Sequence, residues 1–298
     1  MMTNWHGVFP AVTTKLKQDG SVDLAATQSS IDRLIANGVS GVIVLPMLGE
    51  NASLRQDERE SVILAAKEVV AGRVPLLSGL AEVSGEAAAS NARRYETLGA
   101  EGLMAFPSIA YKSDRRETVA WYKALAAACG LPIMIYNNPI AYGVDVTPEA
   151  LKELADTPSI VCIKEESGDI RRVTDIYNGL GNRYKVFCGV DDLILESLAL
   201  GVTGWVSGMT NAFPSQCVEI FNLAFAGKFD EARSLYRIMT PAFHLDVHVK
   251  LVQYIKLAEN LAYGAPEWVR APRLPLVGEE RASVSAIIEM TIKTLEAR

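Results

Sequence analysis

Eight short apolar runs recur along the chain, at residues 8–14, 41–46, 74–80, 102–107, 132–137, 160–165, 185–190 and 204–209. Several are continuous in Val, Ile, Leu and Met, the pattern of strands buried on both faces. Amphipathic stretches separate them, among them residues 24–36, 57–70, 85–98 and 116–128. Asn37-Gly38, Leu98-Gly99 and Cys129-Gly130 each end a helix and lead into the next strand. Thr147-Pro148-Glu149 reads as an N-cap followed by proline at the first helical position.

About eight strand–helix units in one chain imply an α/β fold of the TIM (β/α)8 type, a closed parallel barrel. The competing doubly wound sheet would bind a nucleotide on a glycine-rich first turn. Here the first run ends Thr13-Thr14-Lys15, and neither GxGxxG nor GxxxxGK[ST] occurs. A barrel of this type takes about 250 residues. The 298 residues therefore divide into a barrel over 1–225 and a helical C-terminal extension over 226–298, packed on it. Helical sequence is expected at 229–263 and 278–296, separated by an irregular Arg270-Ala271-Pro272-Arg273-Leu274-Pro275.

The net charge of −6 argues against a nucleic-acid groove or an anionic-membrane patch. No apolar run approaches the ~20 residues of a membrane span. Residues 1–7 have no basic segment followed by an apolar core, so no signal peptide is expected. Cys129, Cys162, Cys188 and Cys217 are widely spaced with no CxxC pair, and read as reduced residues of a cytoplasmic protein.

In a barrel, chemistry collects at the carboxyl ends of the strands. The sixth run, Ile160-Val161-Cys162-Ile163, ends at Lys164. Burial favours the neutral amine of such a lysine, and a neutral amine attacks carbonyls and imines. The plain alternative is a strand-end lysine whose head reaches water. The fifth run ends Tyr136-Asn137-Asn138-Pro139, on the neighbouring strand, so the Tyr136 phenol and the Lys164 amine are expected to meet and relay a proton. A core aromatic with a satisfied hydroxyl is the alternative for Tyr136. The second run leads into Pro46-Met47-Leu48-Gly49-Glu50, whose turn N–H groups suit a substrate carboxylate; an ordinary strand-to-helix turn is the alternative. Gly189 and Ser207, at the ends of the seventh and eighth runs, complete the candidate binding residues with Met47, Leu48, Gly49 and Glu50. His244 and His248 lie four apart on an expected helix, a spacing compatible with metal, but a packed or surface pair is the better reading and no metal site is assigned.

These motifs resemble the dihydrodipicolinate synthase and N-acetylneuraminate lyase superfamily of lysine Schiff-base barrels. Gly49-Glu50, Tyr136-Asn137-Asn138-Pro139, Ile163-Lys164-Glu165-Glu166-Ser167-Gly168 and Gly189-Val190-Asp191-Asp192 carry the resemblance over nearly the whole chain. It implies an imine between Lys164 and a 2-oxo acid or equivalent, Tyr136 as proton relay, a carboxylate clasp in the turn before Gly49-Glu50, no cofactor, and a homotetramer. Pro46-Met47-Leu48 stands where the synthase has Gly-Thr-Thr, Ser108-Ile109 replaces its paired tyrosines, and Ala141 replaces the arginine that holds its aldehyde co-substrate. The sialic acid lyase's Ser-Thr at the same turn is missing too. Wider wording resembles Δ1-pyrroline-4-hydroxy-2-carboxylate deaminase: Tyr142-Gly143-Val144-Asp145, Val252-Gln253-Tyr254-Ile255-Lys256-Leu257-Ala258 and Trp268-Val269-Arg270-Ala271-Pro272-Arg273-Leu274-Pro275. That branch implies deamination with dehydration to 2-oxoglutarate semialdehyde and ammonia. The alternatives are a dehydratase or aldolase of a 2-keto-3-deoxy sugar acid, a pyruvate-dependent aldolase, and a barrel that senses an oxo acid without turnover.

Overall fold

A computed structural model describes residues 3–298; Met1 and Met2, the start of the segment read for a signal peptide, lie outside them. In chain order the elements are β1 (Gly7–Pro10), α1 (Leu24–Ala36), β2 (Val42–Val44), α2 (Gln56–Val70), β3 (Leu76–Leu80), α3 (Gly85–Leu98), β4 (Gly102–Ala105), α4 (Arg115–Ala128), β5 (Ile133–Asn137), α5 (Pro139–Tyr142), α6 (Pro148–Glu153), β6 (Ile160–Glu165), α7 (Arg171–Leu180), β7 (Lys185–Cys188), α8 (Ile194–Ala199), β8 (Gly204–Ser207), α9 (Pro214–Phe225), α10 (Phe229–Phe243), α11 (Leu251–Tyr263) and α12 (Gly278–Glu296). Strands β1 to β8 form one parallel sheet with β8 beside β1. Val12 N–H donates to the Ile43 carbonyl at 2.9 Å and Ser40 N–H to the Val8 carbonyl at 2.8 Å, which joins β1 to β2 and closes the barrel. The expected TIM barrel is what the chain forms.

The helix signals act as expected. Ser84 and Thr147 accept from the N–H three residues on, Pro148 opens α6, and Gly99 ends α3 in the left-handed region. The 229–263 stretch, however, is two helices. Pro241 in the last turn of α10 has no N–H to donate, and the helix ends two residues later. Residues 244–250 then form a connector that puts both histidines outside regular helix. This corrects the expected four-apart pair: His244 Nδ1 sits 2.7 Å from Asp192 Oδ2, while the His248 ring stacks on Tyr254. Among the described residues no helix is long and apolar enough to cross a membrane.

The connector matters because it returns to the carboxyl end of the barrel. Any side chain at Gly208, just beyond β8, would overlap the Asp246 carboxylate. Lys256 of α11 reaches Glu50 at the end of β2, 2.6 Å away, with both side chains fully buried. The C-terminal helices therefore supply part of the wall around the strand ends.

Candidate active site

The register of β5 and β6 sets the centre of the site. Tyr136 pairs with Lys164 and Asn137 with Glu165. Successive side chains on a strand point to opposite faces, so the two chains alternate in step. Asn137 Nδ2 donates to Glu165 Oε2 at 2.9 Å while Asn137 Oδ1 accepts from Val146 N–H at 2.8 Å. Glu165 Oε1 accepts from Ser167 N–H at 2.8 Å, and burial pushes its carboxyl up. These bonds tie the two strand ends together and fix the turn after Lys164.

Next in the alternation come Asn138 and Glu166. Asn138 Nδ2 donates to the Tyr136 hydroxyl at 3.1 Å and to Glu166 Oε1 at 2.9 Å. Glu166 Oε2 lies 2.6 Å from the Lys164 Nζ. Lys164 itself is only 6% exposed, and its Nζ sits over the face of the Tyr136 ring, 4.3 Å from the centroid. The expected meeting of phenol and amine is thus corrected: the amine meets the ring, and Asn138 and Glu166 bridge the hydroxyl to it. Burial, with Glu166 and Tyr142 nearby, holds the Tyr136 phenol well above its ordinary range, so it is a neutral donor. Phe106 and Tyr142 pack edge-on against the Tyr136 ring at 4.7 and 5.8 Å.

Gly189 leaves the space that Lys164 fills. A Cβ there would stand 2.8 Å from both Lys164 Cε and Glu166 Cβ. Ser207 is fully buried and does not face the cavity. Its hydroxyl accepts from Thr210 N–H at 3.0 Å and bonds to Asp191. Asp191 accepts from Trp205 Nε1 at 2.9 Å and from Met209 N–H at 2.7 Å, and burial raises its carboxyl to about 7. The expected binding role of Ser207 is therefore replaced by one in the support beneath the site.

The 46–50 turn is strained and firmly held. Leu45 and Glu50, at its two ends, are both left-handed, with φ of 55° and 54°. Such a conformation costs a non-glycine residue roughly 1–2 kcal/mol. Asn51 Nδ2 holds the turn by donating to the Leu45 carbonyl at 3.1 Å and the Gly79 carbonyl at 3.2 Å. A side chain at Gly79 would overlap the Leu45 carbonyl. Within the turn, Gly49 N–H donates to Pro46 and Glu50 N–H to Met47. Those two amides are spent, which corrects the expectation that Gly49 and Glu50 offer theirs to a ligand; Met47 and Leu48 hold the amides left over. The Glu50 carboxylate is also engaged, by Lys256 at 2.6 Å and Arg270 N–H at 2.9 Å.

Above these residues opens a cavity of about 610 Å³, walled by Met47, Ala81, Phe106, Ala141, Tyr142, Glu166, Val190, Asp246, Leu251 and Arg273 among others. Tyr136, Lys164, Leu48, Gly208 and Asp246 meet in a narrow recess. Met47, Leu48, Tyr136 and Lys164 are thus brought together, Gly49 and Gly189 give room beneath them, Glu50 lines the cavity with its carboxylate already paired, and Ser207 faces away. Glu166, Asn138, Asp246 and Arg273 were not singled out from the sequence. Glu166 stands two residues after Lys164, the spacing that returns a side chain to the same face, and that signal was available. Asp246 carried none, because only the break after α10 turns it inward. Tyr111, the tyrosine that follows Ser108-Ile109, is 55% exposed and stands apart from the cavity.

A closed parallel barrel with a buried lysine at the end of its sixth strand defines the class of this protein. The chain belongs to the dihydrodipicolinate synthetase family, whose model matches residues 4–291, and it is a lyase-type barrel of that family. A 4-hydroxy-tetrahydrodipicolinate synthase of an Exiguobacterium species is 32% identical over 271 residues, covering 91% of this chain and 92% of the relative. The 4-hydroxy-tetrahydrodipicolinate synthase structure from Methylacidiphilum fumariolicum superposes with a TM-score of 0.93 at 25% identity, covering 99% of this chain and 98% of that one. YagE, a prophage protein of E. coli K12 in the same family solved in complex with pyruvate, gives a TM-score of 0.91 at 26% identity, covering 97% and 99%.

Proposed function

We propose that this protein deaminates Δ1-pyrroline-4-hydroxy-2-carboxylate through an imine on Lys164, with loss of the ring hydroxyl as water, giving 2-oxoglutarate semialdehyde and ammonia. The observation that carries this reading is the charge and polarity around the lysine. Glu166 places its carboxyl group 2.6 Å from the Lys164 Nζ, which favours a substrate that becomes cationic as an iminium or ammonium. The rest of the wall is largely apolar. A polyhydroxylated sugar acid would need a row of hydrogen-bond partners that Met47, Ala81, Phe106 and Val190 do not supply.

Lys164 attacks the ring carbon that bears the carboxylate. Glu166 is placed to take the proton that the ammonium must lose first. Transimination opens the ring and frees a primary amine at the far end. The amides of Met47 and Leu48 hold the carboxylate. The new imine acidifies the adjacent methylene, and its proton goes to Glu166, which has already passed its first proton to the departing ring nitrogen; Asn138 holds Glu166 and the Tyr136 hydroxyl together beside it. The enamine expels the β-hydroxyl, unsaturation moves to the amine-bearing carbon, one water releases ammonia there, and a second cleaves the Lys164 imine to free the 2-oxo acid. Imine formation supplies the electron sink, so the lysine and its neighbours suffice for the chemistry.

Aldol chemistry on pyruvate is the second reading. The names of the synthase relatives and the pyruvate complex of YagE favour it. The purified protein is assayed with Δ1-pyrroline-4-hydroxy-2-carboxylate for ammonia, and with 2-keto-3-deoxy sugar acids for pyruvate. Ammonia at a useful turnover supports deamination. Pyruvate release without ammonia refutes it.

A further inference from the structure

Three carboxyl groups lie around Lys164: Glu166, which lines the cavity, and the buried Asp191 and Asp246. Two are committed. Glu166 contacts the amine at 2.6 Å and accepts from Asn138 at 2.9 Å. Asp191 accepts from Trp205 and Met209 with one oxygen each. Asp246 is only 6% exposed, and among the described residues no donor satisfies its carboxylate. It enters from the 244–250 connector, over the gap left by Gly208, and lines both the cavity and the recess that holds Tyr136 and Lys164. The barrel order puts Tyr136 on β5, next to Lys164, and Gly208 beyond β8, two strands away on the other side.

We propose that Asp246 is a second proton-transfer residue of this site, serving the β-hydroxyl of the Lys164-bound substrate. Tyr136 and Glu166 serve the methylene from one side, and Asp246 serves the hydroxyl from the other. In the step, the enamine electron pair forms the new carbon–carbon double bond and the carbon–oxygen bond breaks. The departing oxygen takes the Asp246 proton and leaves as water. The carboxylate left behind is reset by the proton that tautomerisation removes from the amine-bearing carbon. Burial first, then the charges of Asp191 and Glu166, hold the Asp246 carboxyl well above the usual range, with Lys164 opposing and Asp192 adding to the rise. It therefore keeps the proton it has to give. This inference rests on the deaminase reading.

The test compares wild type with Asp246→Asn, each with Δ1-pyrroline-4-hydroxy-2-carboxylate in D2O. Three quantities are read: borohydride-trapped mass on Lys164, deuterium at the methylene beside the imine, and ammonia. Asp246→Asn is expected to trap and to exchange the methylene at near wild-type rates while ammonia release falls by about the 10²–10⁴-fold of a lost acid–base group. Trapping of pyruvate on Lys164, together with the melting temperature, shows that the variant's site is intact. Ammonia release within threefold of wild type overturns the role, and so does a loss of pyruvate trapping that parallels the loss of turnover, which marks a structural support. A wild-type protein that releases no ammonia refutes the deaminase reading and this role with it. A working wild type beside a working variant refutes this role alone.

Discussion

The Lys164 Nζ lies 4.3 Å above the centroid of the Tyr136 ring, while the Tyr136 hydroxyl is turned away to Asn138. The two residues share a register position on adjacent strands, yet their functional atoms communicate through Asn138 and Glu166. The ring shields the amine and the hydroxyl works at the far end of a short hydrogen-bonded chain. Tyr136→Phe keeps the shield and removes the hydroxyl. Turnover is expected to fall by about 10²–10⁴-fold, with imine trapping on Lys164 retained. Near-normal kinetics would take Tyr136 out of the relay.

Gly189 tests whether the space around Lys164 matters. In Gly189→Ala the new Cβ would sit 2.8 Å from Lys164 Cε. Overpacking of this kind costs about 1–3 kcal/mol. The variant is expected to fold with a modestly lowered melting temperature and to trap pyruvate at least tenfold more slowly. Unchanged trapping would show that the lysine adapts freely.

The Lys256–Glu50 pair, fully buried and 2.6 Å apart, is expected to hold the 46–50 turn. Lys256→Met takes the nearest cation from a buried carboxylate, leaving it Arg273 at 3.7 Å and the Arg270 N–H, a loss toward the low end of the ~3–5 kcal/mol of a broken buried pair. Denaturant unfolding measures it. Adding Glu50→Gln is expected to restore part of that stability, since the unpaired charge is then gone. If the double variant is less stable than the single one by an additive amount, the pair is not the cause.

Acid pH tests the buried carboxyls beneath the site. Asp191 is raised from 3.8 to about 7, chiefly by burial, and Asp246 is raised as well. Between about pH 4 and pH 7 the folded protein therefore holds protons that the unfolded chain has released. Stability from these groups is fully present below the unfolded value and is lost as the pH rises through the folded one. In Asp191→Asn the dependence of unfolding free energy on pH over this window is expected to flatten. An unchanged slope would contradict it.

Much of this was legible in the sequence. Short β-branched apolar runs such as Ile160-Val161-Cys162-Ile163, set between helix start and stop signals, fit strands covered on both faces, and the barrel followed from their number and spacing. Lys164 and Tyr136 were visible because they end such runs. Long-range effects were not. Whether the Gly49 amide is free depends on a turn closed by Pro46, and the orientation of the Glu50 carboxylate depends on Lys256 and Arg270, more than 200 residues on. Asp246 sat in a sequence read as continuous helix. Helical periodicity could not show that the chain breaks after Phe243 and turns that carboxyl toward Lys164.

The most direct test of the whole account is borohydride reduction of the protein with Δ1-pyrroline-4-hydroxy-2-carboxylate, followed by peptide mass analysis, on wild type and Lys164→Ala. One substrate-derived adduct is expected, on Lys164, and a folded Lys164→Ala protein with neither adduct nor ammonia. An adduct on another lysine, no adduct in a turning-over wild type, or ammonia release by Lys164→Ala would contradict it.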